Sequence, residues 1–463
     1  MSKKFVHPYI PNGAPELMEQ MLKELNISSS EDIFKEIPKH LRFQGRMNIP
    51  EPKLSEYELK RHVEGILKKN QTTSDNLSFL GGGTWDHYVP AVCDTIGQRD
   101  EFLSAYVGDA YSDHGKYQAL FESSSMIGDL LKMEAVSTPT YDWANAIGIA
   151  ARMASRINGR KEVLVAGSMS PSRFSVINNY LKPEISLIKI AFDKTTGLMD
   201  LDDLKRKLSD KTSSVYFENP TYFGPVEHQG EKIAEMAHAV GAEVIAGVDP
   251  SSLGVMKAPS DYGVDICVGD LQPLGIHMQY GGGLSGYIAS RDEEKYVAEY
   301  PTLLFGVTST LQEGEYGFGH VFYERTSYAS REKGKDFIGT TTSLFGIIAG
   351  VYLALMGPEG MRELGEGIMQ RVAYAVEQID AIPNVKVLYK DNFFKEFVID
   401  FNETGKTVET IHKALKTMGI FGGIDLSCSR QFPEMGEAAI YAITEKMTKE
   451  DIDRLVTALR KVC

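Results

Sequence analysis

The chain has 463 residues, 43% hydrophobic and 24% charged, an ordinary globular balance with length for two or three domains. A formal net charge of −14 excludes a dedicated nucleic-acid binder, which needs a basic footprint, and argues equally against attachment to an anionic membrane. The four cysteines, Cys93, Cys267, Cys428 and Cys463, are scattered without paired spacing and read as free thiols of a reducing compartment.

Residues 1–75 read as a helical arm. Its start, MSKKFVHPYIPNGAPEL, has basic residues but no apolar core, so it is no secretory signal and a cytoplasmic location is expected. SSSEDIF (28–34) sets an N-cap serine before acidic residues. In LSEYELKRHVEGILKKN (54–70), Leu59, His62, Val63, Ile66 and Leu67 recur at helical spacing.

Residues 76–335 read as a large α/β domain. KEVLVAG (161–167), ISLIKIAF (185–192), SSVYFEN (213–219), AEVIAGVD (242–249), VDICVGD (264–270) and LSGYIAS (284–290) predict strands buried on both faces. EKIAEMAHAVGAE carries Ile233, Met236, Ala237 and Val240 on one helical face, with Gly241 where a C-cap belongs. The alternation predicts a doubly wound, mainly parallel sheet. GGGLSG (281–286) fits G-x-G-x-x-G but precedes a strand, which removes the dinucleotide context. GEYGFGH (314–320) reads as a glycine-rich loop, with a lid as its functional alternative.

Residues 336–463 read as a small α+β domain. A helix from about 341 to 357 holds the longest apolar stretch, 343–357, too short for a bilayer span. A second helix follows GPEG; KEFVIDF (395–401) and AAIYAIT (438–444) are strands; and Thr448 with Asp451 caps a closing helix. The ten histidines form no H-E-x-x-H and no Cys/His cluster, so no metal centre is expected.

A large α/β domain followed by a small α+β one is the outline of pyridoxal-phosphate enzymes of the aspartate-aminotransferase fold. YIPNGAPELMEQMLKELNISSSEDIFKEIP, FLGGGTWDHYVPAV, NPTYFGPVE, VDPSSLGVMKAPSDYGVDICVGDLQPLG, YLALMGPEGMREL, FFKEFVIDF and ITEKMTKEDIDRLVTAL narrow it further. Together, from about residue 9 to the C-terminus, the chain resembles the first-subunit branch of the glycine dehydrogenase (decarboxylating) family, the P-proteins of glycine cleavage systems. The resemblance implies an α2β2 assembly that decarboxylates glycine and passes its aminomethyl group to the lipoyl arm of an H-protein. It also implies a homologous second subunit that carries the lysine and its pyridoxal phosphate. Two other readings stand beside it: a non-catalytic structural or regulatory paralogue, and a subunit repurposed for another glycine-like amine or imine.

Under the resemblance the Schiff-base lysine belongs shortly after VDICVGD. The stretch there, LQPLGIHMQYGGG (271–283), has none; no lysine occurs between Lys257 and Lys295, and the position falls at about Pro273 or Leu274. No cofactor is therefore expected in this chain. Asp249, where the fold places the carboxylate that pairs with the pyridinium, is expected to be vestigial and bonded to local backbone or water. The phosphate cradle falls at 141–146, where Trp143 and Asn145 replace small residues and Asp142 is expected to cap the helix itself. Trp85, standing for a usual tyrosine, with His87, Tyr88 and Tyr106, are expected as aromatic and polar walls of a site shared with the partner; a structural hydrogen bond is the alternative for His87. The loop 106–119 is one residue short, and the family's Arg-Arg-Glu-Lys-Ala-Thr-Ser-Asn run reads SREKGKDF (330–337).

Overall fold

Along the apolar runs successive side chains enter opposite cores. Leu164, Val215, Phe217, Val244 and Ala246 lie in one, and Val163, Val165, Tyr216 and Ile245 in the other. A strand covered on both faces needs no polar side, which is why these runs are nearly continuous rather than alternating. The structure is a computed structural model that describes residues 6, 9–10, 13–103, 114–137, 139–301, 303–336, 338, 342–428 and 431–463.

Two compact units are present, Met1–Asn70 and Gln71–Cys463. The first contains α1 (Pro15–Glu24) and α2 (Glu56–Leu67), with a short 3₁₀ segment whose N-cap is Ser29 and whose capping box is closed by Asp32. Neither helix buries a residue: the apolar face of α2, Leu59, Val63, Ile66 and Leu67, is exposed.

In the second unit β1 (Leu77–Ser78), α3 (Ala91–Gly97), α4 (His114–Leu131) and β2 (Ala135–Val136) lead to α5 (Trp143–Asn158). The βα repeat follows as β3 (Glu162–Ala166), α6 (Pro171–Leu181), β4 (Ser186–Ile190), α7 (Leu201–Lys207), β5 (Thr212–Asn219), α8 (Gly230–His238), β6 (Glu243–Val248), β7 (Ile266–Asp270) and β8 (Gly286–Ser290). These strands form one sheet in the order β2-β8-β7-β6-β5-β3-β4, with β3 to β7 parallel, β8 antiparallel to β7 and β2 antiparallel to β8. All six runs read as strands belong to it. Gly241 takes the left-handed conformation just past α8.

After α9 (Glu294–Val297) comes an antiparallel hairpin, β9 (Phe305–Ser309) and β10 (Tyr316–His320), then α10 (Ser327–Ser330). GEYGFGH is thus mainly a strand and not a loop: cross-strand bonds to β9 fix a backbone that its glycines alone would leave free. The helical run α11 (Ser343–Asp380) breaks at Gly357, φ 59° and ψ 180°, ahead of Pro358. Its apolar first rod of 14 residues spans about 21 Å, short of the ~30 Å of a bilayer core. The chain ends with β11 (Lys386–Leu388), β12 (Glu396–Asp400), α12 (Val408–Thr417), β13 (Ile420–Phe421), β14 (Ile424–Asp425), β15 (Ala438–Ala442) and α13 (Lys449–Val462), capped by Thr448 and Asp451 as read. A four-stranded sheet β11-β12-β15-β14 forms here, and β13 pairs in parallel with β1. All four cysteines are free.

The turn at Gly224 joins the two sheets. Gly224 has φ 103°, and a Cβ there would lie 2.0 Å from the Glu396 carbonyl oxygen of β12. Gly224→Ala should therefore lower the unfolding free energy by about 2 kcal/mol or more, through left-handed strain plus displacement of a buried strand. Urea unfolding of the purified chain measures it, and a loss under about 0.5 kcal/mol would show that the turn yields freely.

Candidate functional site

The C-terminal ends of β5, β6 and β7 face Lys395, the residue just before β12, and charged side chains meet there. Asp249 follows β6. Its Oδ1 accepts from the Ser251 N–H at 3.0 Å and the Ser251 hydroxyl at 2.8 Å. Its Oδ2 pairs with Lys395 Nζ at 2.7 Å, and the lysine side chain is 2% exposed. An ammonium has three N–H groups to place. Lys395 directs the second at His87 Nε2, 2.8 Å away, and lies 4.0 Å from the indole ring of Trp85. Since Nε2 accepts, Nδ1 of His87 donates, to Glu445 Oε2 at 2.7 Å; Glu445 Oε1 accepts the Tyr88 N–H at 2.7 Å. Glu445, His87, Lys395 and Asp249 thus form one buried chain.

Trp85 is fixed on every side. Its indole N–H donates to Glu396 Oε1 at 2.9 Å, and its backbone exchanges two bonds with the Gln272 side chain, at 3.0 and 2.9 Å. A Cβ at Gly81 would meet Glu396 Oε1 at 2.3 Å, so the glycine run before Trp85 lets the backbone close onto β12. The chain's other tryptophan, Trp143, opens α5 and lies under Arg173, 3.8 Å from guanidinium to ring centre. Arg173 pairs with Glu218 Oε1 at 2.9 Å, which also accepts the Tyr216 hydroxyl at 2.9 Å. Asp142 Oδ1 accepts the Asn145 N–H at 2.7 Å, so the first turn of α5 is capped by its own carboxylate, as read.

Burial pushes the carboxyl groups of Glu396 and Asp270 above the usual range. Burial alone would raise Glu445 as well, but the His87 imidazole and the Tyr88 N–H bring it down to about 2. The two indoles and the two ion pairs leave a cavity of ≈20 Å³, into whose lining Glu218 Oε2, Thr221 Oγ1 and Trp143 Nε1 bring polar atoms without a hydrogen-bond partner among the described residues. That is room for about one water. Pyridoxal phosphate does not fit the residues present: small-molecule sites are typically about 300 Å³ or more, the helix N-terminus already holds a carboxylate, and the turn after β7 offers buried Leu271, Gln272 and Leu274.

Of the residues singled out in the sequence, Trp85, His87 and Asp249 come together around Lys395. Asp249 does make the local bonds expected of it, but its second oxygen holds an ammonium. Trp85 and His87 turn inward, 3% and 5% exposed, while Tyr88 is 62% exposed. Tyr106 lies outside the described residues. Lys395, Glu396, Gln272, Arg173 and Glu218 were not anticipated. FFKEFVI carried a signal for two of them: a lysine and a glutamate inside an apolar strand are buried only when paired.

The glycine cleavage system P-protein family model matches residues 7–459. A probable glycine dehydrogenase (decarboxylating) subunit 1 of Staphylothermus marinus is 36% identical, over 98% of each chain. One from Pyrococcus furiosus is also 36% identical, over 98% of this chain and 99% of its own. Among solved structures, a glycine decarboxylase (P-protein) of the glycine cleavage system in inhibitor-bound form superposes with TM-score 0.84 at 31% identity, covering 99% of this chain and 100% of that one. A Burkholderia pseudomallei sphingosine-1-phosphate lyase, TM-score 0.65 at 13% identity over 92% and 94%, shares the fold alone.

Two outcomes are expected of the buried chain. Lys395→Met strands the Asp249 carboxylate and should cost roughly 3–5 kcal/mol, whereas Lys395→Met with Asp249→Asn should recover much of it; strictly additive losses in urea unfolding would deny the coupling. Glu445 is depressed in the folded chain from an ordinary 4.5 to about 2. Its stabilisation is therefore complete above pH 4.5 and fades as pH falls toward 2. The stability gap between wild type and Glu445→Gln should be on the order of 2–3 kcal/mol near neutrality and shrink on acidification; a gap that grows toward acid would reverse the assignment.

Proposed function

The chain belongs to the glycine cleavage system P-protein family, and from that membership we propose that it is the lysine-lacking first subunit of a glycine-decarboxylating complex, inactive on its own. Its fold is the aspartate-aminotransferase-like α/β fold, shared with the P-protein and with more distant members of that class. The filled cleft carries the proposal: Trp85, Trp143 and the Lys395–Asp249 pair occupy the crevice at the strand ends where open α/β sheets hold ligands. In this reading a homologous second subunit supplies the lysine and pyridoxal phosphate. Glycine loses CO₂ there, and the aminomethyl group passes to the lipoyl arm of an H-protein, in a cytoplasmic α2β2 assembly.

This chain then contributes shape and positioning. The Lys395 network holds the 85–88 segment rigidly, and Tyr88 is the member of that segment whose side chain is left open to a partner. The Met1–Asn70 unit supports a partner by a different route. Leu17, Met21, Leu59, Val63 and Ile66 are exposed on helices that bury nothing, and such apolar side chains suit a partner's surface.

Two measurements test this. Incubation of the isolated chain with pyridoxal phosphate, borohydride reduction and peptide mapping should give no stoichiometric adduct; a single labelled lysine, Lys395 above all, would overturn the reading. Glycine–CO₂ exchange should be absent for the chain alone and appear on mixing with the lysine-bearing homologue. In that reconstituted complex Tyr88→Ala should lower turnover by about tenfold, roughly 1.4 kcal/mol of transition-state stabilisation.

A further inference from the structure

Away from the Lys395 cleft, cations gather on one face of this acidic chain. Arg152 and Arg156 lie one turn apart on α5, Arg152 about 15 Å along the axis from the Asp142 cap. With Ser327, Arg331 and Lys335 they line an open cleft of ≈410 Å³, the size of a small-molecule site. Two carboxylates hold the walls in place. Asp336 takes Arg152 Nε at 2.5 Å and Arg156 Nη1 at 2.8 Å. Glu299 takes Arg156 Nε at 2.6 Å and also the Lys335 ammonium. Four cations against two carboxylates leave a positive surplus, on a chain whose formal charge is −14. The Arg331 side chain is exposed and forms no hydrogen bond or ion pair with any described residue. Gly334 packs so closely on Ser327, 2.9 Å from its Cα to a Cβ placed there, that the segment carrying Arg331 and Lys335 is held against α10.

We propose that this cleft binds a phosphorylated small molecule, a phosphate monoester or diphosphate of metabolite size. Guanidinium forks match phosphate oxygens bidentately. Asp336 and Glu299 already orient two of them, so little side-chain entropy is left to lose on binding. The volume exceeds what a bare phosphate fills and leaves space for an organic portion.

The test is isothermal titration of the full chain at low ionic strength with pyrophosphate, ribose 5-phosphate and, as a contrast, succinate. Saturable binding of one or both phosphates is expected, weakened by added salt. Arg331→Ala and Arg152→Gln should each weaken it by at least about fivefold. Arg331→Ala removes no hydrogen bond or ion pair with any described residue, so its melting temperature without ligand should match wild type, and it keeps the test valid if Arg152→Gln folds poorly. Absence of saturable phosphate binding, affinity unchanged in Arg331→Ala, or succinate binding as tightly as the phosphates would overturn the proposal. None of these outcomes bears on glycine turnover, so the site stands or falls apart from the subunit's proposed role.

Discussion

A lysine ammonium buried against an aspartate is the interaction on which the centre of this protein depends. Removing both charges from water costs several kcal/mol per ion, which attraction offsets only when the remaining hydrogen-bonding groups are also met. Lys395 meets that condition: Asp249 takes one direction, His87 another, and the face of Trp85 lies beside it. Lys395 immediately precedes β12, and its partners come from the end of β6 and from the 85–88 segment, so a single ammonium ties the parallel sheet to the antiparallel one. The tie explains the rigidity around it, since Gln272 and Glu396 fix Trp85 from two further elements.

The same arrangement settles what the crevice holds. In a fold whose strand ends are shaped to receive a ligand, the residues that satisfy Lys395 and Arg173 also take up the space. Two indoles, each against a cation, replace what would be open volume. The site is polar, buried and nearly full. Family membership makes the chain a subunit of a glycine-decarboxylating enzyme, and the strand ends of its own sheet are closely packed. Helix α5 serves both ends of this economy, its first turn closed by Asp142 and Trp143 and its later turns presenting Arg152 and Arg156 to an open, cation-lined cleft.

How much of this was legible in the sequence follows from the range of each interaction. Strand runs, the Thr448–Asp451 box and the Asp142 cap depend on neighbours within a few residues, so composition and spacing revealed them. The break at Gly357–Pro358 was legible for the same reason. GEYGFGH was misread because glycine content reports freedom of the backbone, whereas its strand is imposed by bonds to β9. Trp85, His87 and Asp249 were each singled out, but as separate features with separate roles.

The sequence by itself determined the fold class, the family and the absence of a lysine after β7, because each is written in local pattern or in residue identity. Only the tertiary structure decided that Asp249 is not idle and that Trp85 and His87 face inward. Lys395 and His87 are 308 residues apart, and Trp85 and Glu396 are 311 apart. Alternation along a strand tells which face a side chain takes, but not which distant side chain waits there. A buried charge announces that it needs a partner; its identity is fixed only when the two sheets close on each other.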